Sequence, residues 1–193
     1  MAVGQKTNNR HCYLSIVDGA VVQKTADGER KCYSFVEGKI DAIYTRSYTF
    51  DGEPVERWCI DMHDYTESYT LSFSLSSGPF ISIVLALAND EALTRKTLVR
   101  IAPYTSKKGY TKVRVFTNGS DKKLMWVTDN IPPKKKTIQN GREVVDDSEQ
   151  AAFVAKYVRL LCERISIRAR SALASFFGGS AVQSETATIY AGM

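Results

Sequence analysis

Along much of the chain apolar and polar residues alternate one by one, the period of a β-strand with one buried face. In Tyr110-Thr-Lys-Val-Arg-Val-Phe116 one row is Thr111, Val113 and Val115, a β-branched set suited to a core. The opposite row is Tyr110, Lys112, Arg114 and Phe116, rings interleaved with cations where an outward face is usually plain polar. The same period predicts two short strands around Asp18-Gly19 in RHCYLSIVDGAVVQKT and a further strand in ERKCYSF. It continues through EGKIDAIYTRSYTF, which ends at the turn DGEP, then VERWCIDM, then ESYTLSFSLSS, where Tyr69, Leu71, Phe73 and Leu75 share a face. After Gly78-Pro79 the alternation breaks. FISIVLALAND is apolar nearly all round and short enough for a buried strand, but the spacing of Ile83 and Leu87 with their neighbours favours a short buried helix. Strands resume with KTLVRIAPY, YTKVRVF and, after Asn118-Gly119, KKLMWVT.

From residue 37 to 117 the predicted order is strand, strand, strand, helix, strand, strand. That order is expected of an OB-fold, a five-stranded Greek-key barrel with a helix between its third and fourth strands, which binds oligonucleotides on a sheet face and its loops. The fold expected is therefore mainly β. Residues 1–36 form an N-terminal β extension and 37–131 the OB-fold barrel. Residues 132–147, with Pro132-Pro133 and Lys134 to Lys136, read as a basic linker. An amphipathic C-terminal helix follows over 148–178, capped by Asp146, Asp147 and Ser148, with a stripe of Val154, Val158, Leu161, Ile165, Ala169, Ala172 and Phe176 ended by Gly178-Gly179. That stripe suits docking on the barrel or self-association with a second chain, and 179–193 is a small, polar tail expected to be mobile.

Charge changes the picture because of where it lies. The chain of 193 residues has a formal net charge of +5. Residues 37–92 hold 10 acids and 3 bases, whereas 94–136 hold 12 bases and 2 acids. Such polarity fits either a self-complementary solvated surface or a stripe for a polyanion, since a dense Lys/Arg cluster is the footprint of phosphate binding. Single-strand binders line a groove with cations that follow phosphates and rings on which bases stack. The candidates are Arg100 with Tyr104; Lys107 and Lys108 beside Gly109; Tyr110, Lys112, Arg114 and Phe116; Tyr44, Arg46 and Tyr48; and Lys122 with Trp126.

Other chemistry is weakly signalled. Cys12, Cys32, Cys59 and Cys162 are scattered without a CxxC pair, as expected of reduced, packed thiols. Asp61-Met-His-Asp64 brings a histidine and two carboxylates to a strand end, which reads as a turn before a metal site. With two histidines, no P-loop spacing and no evident nucleophile–base set, an enzyme, a metal or a cofactor is not expected. No apolar run reaches membrane length and the first residues lack a signal-peptide core, so a cytoplasmic protein is expected.

The segments YLSIVDG, FVEGKIDAIYTRSY, GEPVERWCIDM, YTLSFSLSSG, LALAND, IAPYTSKKGYTKVRVF, KLMWV and NIPPKK, in this order over about residues 12 to 150, resemble the single-stranded DNA-binding proteins of bacteriophages and Bacteroides-type genomes. The resemblance implies an OB-fold protein that coats single-stranded DNA in replication or recombination. Many such binders end in an acidic tail that recruits replication proteins; this chain ends ETATIYAGM, so recruitment of that kind is not expected. A protein-interaction barrel of a phage or replisome assembly, or an RNA binder, stays open beside this reading.

Overall fold

Turn chemistry sets the hairpins. Asp18-Gly19, Asp51-Gly52 and Asn118-Gly119 all have positive φ at both residues, the conformation that Asp-Gly and Asn-Gly dipeptides adopt at least cost. The computed structural model describes residues 10–25, 27–125, 130–139, 142–165 and 168–170. Strand β1 (Arg10–Val17) turns at Asp18-Gly19 into β2 (Ala20–Lys24), and β3 (Arg30–Tyr33) pairs back on β2. Then follow β4 (Val36–Phe50), β5 (Glu53–His63), β6 (Glu67–Ser74), helix α1 (Gly78–Ala88), β7 (Val99–Thr105) and β8 (Thr111–Thr117). The remaining elements are β9 (Lys135–Gln139), β10 (Arg142–Asp146), α2 (Ser148–Arg164) and β11 (Arg168–Arg170).

The protein is mainly β, built on one large sheet curled into a half-barrel. Eight strands run in the order β3-β2-β1-β6-β5-β4-β7-β8, and β11 joins alongside β4. Strand β4 makes the curl possible. Its start, Val36–Gly38, pairs with β7, and from Lys39 onward it pairs with β5. A Cβ at Gly38 would sit 2.7 Å from the His63 carbonyl oxygen, so only glycine lets β4 pass this close to the end of β5. A bulge at Asp41 then shifts the register, and with it the outward-facing positions move from Glu37 to Tyr44, Arg46 and Tyr48.

The inward rows make the core: Cys12 and Leu14 of β1, Trp58, Ile60 and Met62 of β5, Leu71 and Phe73 of β6, Val99 and Ile101 of β7, Val113 and Val115 of β8. Helix α1 closes over them. Ser77 caps it by accepting the Phe80 amide, Pro79 suits its first turn, and residues 80, 81 and 83–87 are all buried, which is why the segment is apolar all round. The Trp58 and Phe80 rings stack at 4.9 Å and 14°.

Several expectations are corrected. The sheet is larger than a five-stranded barrel, because the N-terminal strands are built into it: β1 lies parallel to β6 and occupies the edge that β6 would otherwise offer. Its turn seats against β7, where Thr105 Oγ1 donates to the Asp18 carbonyl at 3.1 Å and a Cβ on Gly19 would come within 2.6 Å of the Thr105 nitrogen. Residues 122–125 are not a strand. The Leu124 amide makes one bond to the Val115 carbonyl, and 126–128 lie outside the described residues. The expected linker holds the β9–β10 hairpin.

Helix α2 ends at Arg164 instead of running to 178. Two tertiary demands stop it. Arg164 donates to the carbonyls of Leu87, Ala88 and Asp90, satisfying the C-terminal end of α1. Residues 168–170 then pair with Ala42, Ile43 and Tyr44 on the edge of β4 that β7 has left, filling hydrogen-bonding positions that helix continuation would leave open. Val154, Val158, Leu161 and Ile165 are buried in this chain's own core, so that part of the stripe is not available to a second chain. Residues 171–193, including the tail, lie outside the described residues.

Candidate nucleic-acid interface

Strands β7 and β8 pair with Arg100 opposite Phe116, Ala102 opposite Arg114 and Tyr104 opposite Lys112. Val99, Ile101, Pro103, Val113 and Val115 are buried beneath, so the outward row read from alternation is the outward row of the fold. Tyr110 is 67% exposed, Lys112 and Arg114 are exposed, and Phe116 is half-buried. The β7–β8 turn is held by Ser106, whose amide donates to the Tyr110 carbonyl and whose hydroxyl accepts the Tyr110 amide. Gly109 takes positive φ there, and Lys107 and Lys108 project from the turn into solvent.

These side chains differ in how far the protein already uses them. Arg100 donates from Nε to Glu37 Oε2 at 2.6 Å, and its guanidinium lies 4.8 Å from the Phe35 ring centroid. Its charge is compensated within the fold. The Arg114 guanidinium covers the Tyr104 ring at 4.4 Å, a cation–π contact that keeps the charge while taking one ring face. Among the described residues Lys107, Lys108 and Lys112 have no ion-pair partner. Lys122 is exposed beyond β8, and Trp126 lies outside the described residues.

Tyr44, Arg46 and Tyr48 are not part of this ridge. They stand on the outer face of the stretch of β4 that pairs with β5, with Arg46 opposite Arg57 and Tyr48 opposite Val55. Together with Tyr13, Arg57, Cys59, Thr70 and Ser72, Arg46 and Tyr48 line a shallow groove. Tyr13 and Arg57 were missed, although their strands alternate as clearly: His11-Tyr13-Ser15 against Cys12-Leu14, and Val55-Arg57-Cys59-Asp61 against Trp58-Ile60-Met62.

Much of this second face is spent on internal hydrogen bonds. The Asp61 carboxylate can only accept, so Thr70 donates to its Oδ1 at 2.5 Å and Tyr44 donates at 3.3 Å. With the Thr70 proton committed, His11 donates from Nε2 to Thr70 Oγ1 at 3.0 Å, leaving Nδ1 beside Ser68 Oγ at 3.0 Å. Burial, followed by the Asp61 charge, pushes the Tyr44 hydroxyl above its ordinary pKa, and burial likewise raises the Cys59 thiol.

The Asp61–Asp64 segment does not converge on a metal. Asp61 serves Thr70, His63 Nδ1 is 2.7 Å from Asp41 Oδ2, and Asp64 ties the β5–β6 turn by accepting from the Thr66 and Glu67 amides and from Tyr69. Burial opposes the charge on Asp64, but the Tyr69 hydroxyl and those amides outweigh it and hold the carboxyl at about 2. Among the described residues no three His, Cys, Asp or Glu side chains are grouped to hold an ion, and no helix is long and apolar enough to cross a membrane. No disulfide joins the cysteines; Cys12, Cys59 and Cys162 are buried and Cys32 is exposed. Compared with family models, with curated proteins and with solved structures, the chain matches none.

Proposed function

We propose that the protein is a non-enzymatic binder of single-stranded nucleic acid, with single-stranded DNA as its ligand and little sequence preference. The observation that carries this reading is the β7–β8 ridge, where Tyr110 and Phe116 stand among Lys107, Lys108, Lys112 and Arg114, cations without an internal counter-charge. Phosphates track the cations and bases stack on the rings, a combination indifferent to sequence because every base has a π-face. Strand order supports it. β4, β5 and β6 are consecutive hairpin partners and β7 returns through α1 to lie beside β4, the 4-1-2-3 order of a Greek key, and β8 pairs with β7 where an OB-fold would have its fifth strand. In that fold the bound strand lies across the face of the strands equivalent to β5 and β6 and between the loops equivalent to the β4–β5 and β7–β8 turns; the fold thus supports the second of these turns, which carries Lys107 and Lys108, and not β8 by itself. The ordered resemblance of segments 12–150 to phage and Bacteroides-type single-strand binders supports a role in replication or recombination, in the cytoplasm of a bacterium or phage-infected cell.

The test is fluorescence anisotropy of a labelled thymidine oligonucleotide of about 30 nucleotides, beside a matched duplex, at several salt concentrations. A labelled ligand makes the readout independent of Trp58, which is 2% exposed and stacked on Phe80. Tight binding of the single strand, falling steeply with salt, is expected. Binding to neither form sinks the proposal and turns the ridge toward an acidic protein partner; equal or better binding of the matching RNA reassigns the ligand.

A further inference from the structure

Beside the ridge lies a feature the single-strand reading does not use. A cavity of about 420 Å³ opens between the N-terminal strands β1–β3 and the start of β4, the end of β5 and the start of β6. That volume lies within the range of small-molecule sites. Its apolar lining is built by Cys12, Leu14, Val21 and Val36, all buried, with Leu98 at the side. Tyr33, Phe35, Tyr65 and Tyr69 give it aromatic walls, and Gln23, Lys39, Glu67 and Asp64 supply polar groups.

Rings with carboxylates commonly cage a cation. Here the chain supplies the cations itself: the Lys39 ammonium stands 5.7 Å from the Tyr65 centroid and the Arg100 guanidinium 4.8 Å from that of Phe35. One face of each of these two rings is therefore already taken by a cation. What the cavity still offers is flat aromatic surface, with Tyr33 and Phe35 both exposed, and polar groups of both senses. Gln23 accepts the Tyr33 hydroxyl at its Oε1, which leaves its amide hydrogens for a ligand, and Lys39 donates while Glu67 accepts. A neutral planar ring with donors and acceptors along its edge is complementary to the rings and to Gln23, Lys39 and Glu67. The cavity also adjoins the ridge: Phe35 and Glu37 line it and both hold Arg100, which faces Phe116 across β7 and β8.

We infer that this cavity takes a single nucleobase, unstacked from a strand that follows the β7–β8 ridge. For its strand the inference rests on the proposed function; for base recognition it stands on the cavity alone. The test uses the isotope-labelled full chain, titrated with deoxyadenosine monophosphate or thymidine monophosphate and followed by amide chemical shifts. Shifts are expected at Cys12, Gln23, Lys39 and Tyr69, and they should persist in a Tyr110→Ala/Phe116→Ala variant. Leu98→Trp, which fills the cavity, and Tyr33→Ala, which removes an exposed wall without touching the core, should each weaken the mononucleotide about tenfold, within what one stacking partner is worth. No shifts at the cavity, shifts confined to β8, or cavity shifts untouched by both variants overturn the inference. Mononucleotide in the cavity without oligonucleotide binding leaves the base site standing and removes the single-strand function; oligonucleotide binding without cavity shifts does the reverse.

Discussion

The outer face of β7–β8 and the outer face of β4–β5–β6–β1 carry the same kinds of residue, rings and cations in alternation, yet they are in different states. On the second face the polar groups at one end answer one another, from Tyr44 through Asp61 and Thr70 to His11, while at the other end Arg46 and Arg57 face each other without an ion-pair partner among the described residues. On the first, Lys107, Lys108 and Lys112 answer nothing within the described residues, and Tyr110 stands out in solvent. A hydrogen-bonded network is rigid and already has its partners, so a ligand gains little by replacing them. Uncompensated cations beside an exposed ring gain from an anion with a flat base attached. Composition marks a candidate face; internal partnering decides whether that face is free to bind.

The largest expected effect removes both faces together. Trp58→Ala takes out a ring that lies behind the second face and stacks on α1, and should cost about 3–5 kcal/mol of stability, read by chemical denaturation. A loss below about 1 kcal/mol would mean that the two faces do not share one core.

Next comes the direct contrast. Tyr110→Ala and Phe116→Ala should each weaken single-stranded oligonucleotide binding by about 1–3 kcal/mol, whereas Tyr44→Phe, which removes only a hydroxyl already given to Asp61, should leave affinity unchanged. The reverse ranking in anisotropy titrations would move the binding site to the second face.

Salt dependence sharpens the contrast within the ridge itself. Lys112→Gln should reduce the slope of log affinity against log salt by about 0.7, the value of one phosphate contact on a single strand. Arg100→Gln should change it far less, because Glu37 already neutralises that charge. Equal slopes for the two variants would show that the Arg100–Glu37 pair opens on binding.

The smallest effect concerns the turn that joins β5 to β6. Asp64 has a folded pKa of about 2, below its ordinary 3.8, so its ionised form contributes stability that is fully present above 3.8 and is lost as pH falls through about 2. The difference in melting temperature between the protein and Asp64→Asn should hold steady above that window and close within it. A difference that persists below pH 2 would assign the effect to packing instead of charge.

Strands β1 to β8, the turns Asp18-Gly19 and Asp51-Gly52, the buried helix 78–88 and the inward and outward rows of β8 were legible in the amino-acid order, because period, Asp-Gly turns and a Ser-Gly-Pro helix start act over a few residues; β9, β10 and β11 were not. Local pattern also exposed Tyr110, Lys112, Arg114 and Phe116. It could not tell that Arg100 is tied to Glu37, 63 positions earlier, nor that Tyr44 and Tyr110 lie on different faces, because both facts depend on where β4 passes from β7 to β5. Tertiary structure alone decided three things. β1 took the edge of β6, enlarging the sheet; α2 stopped at Arg164 so that the end of α1 and the open edge of β4 could be satisfied; and the N-terminal strands enclosed a cavity beside the ridge. The physical reason is the same in each case. A backbone edge, a helix end or an apolar wall must be paired or covered by something, but which distant segment does so is set by chain geometry and not by its neighbours in sequence.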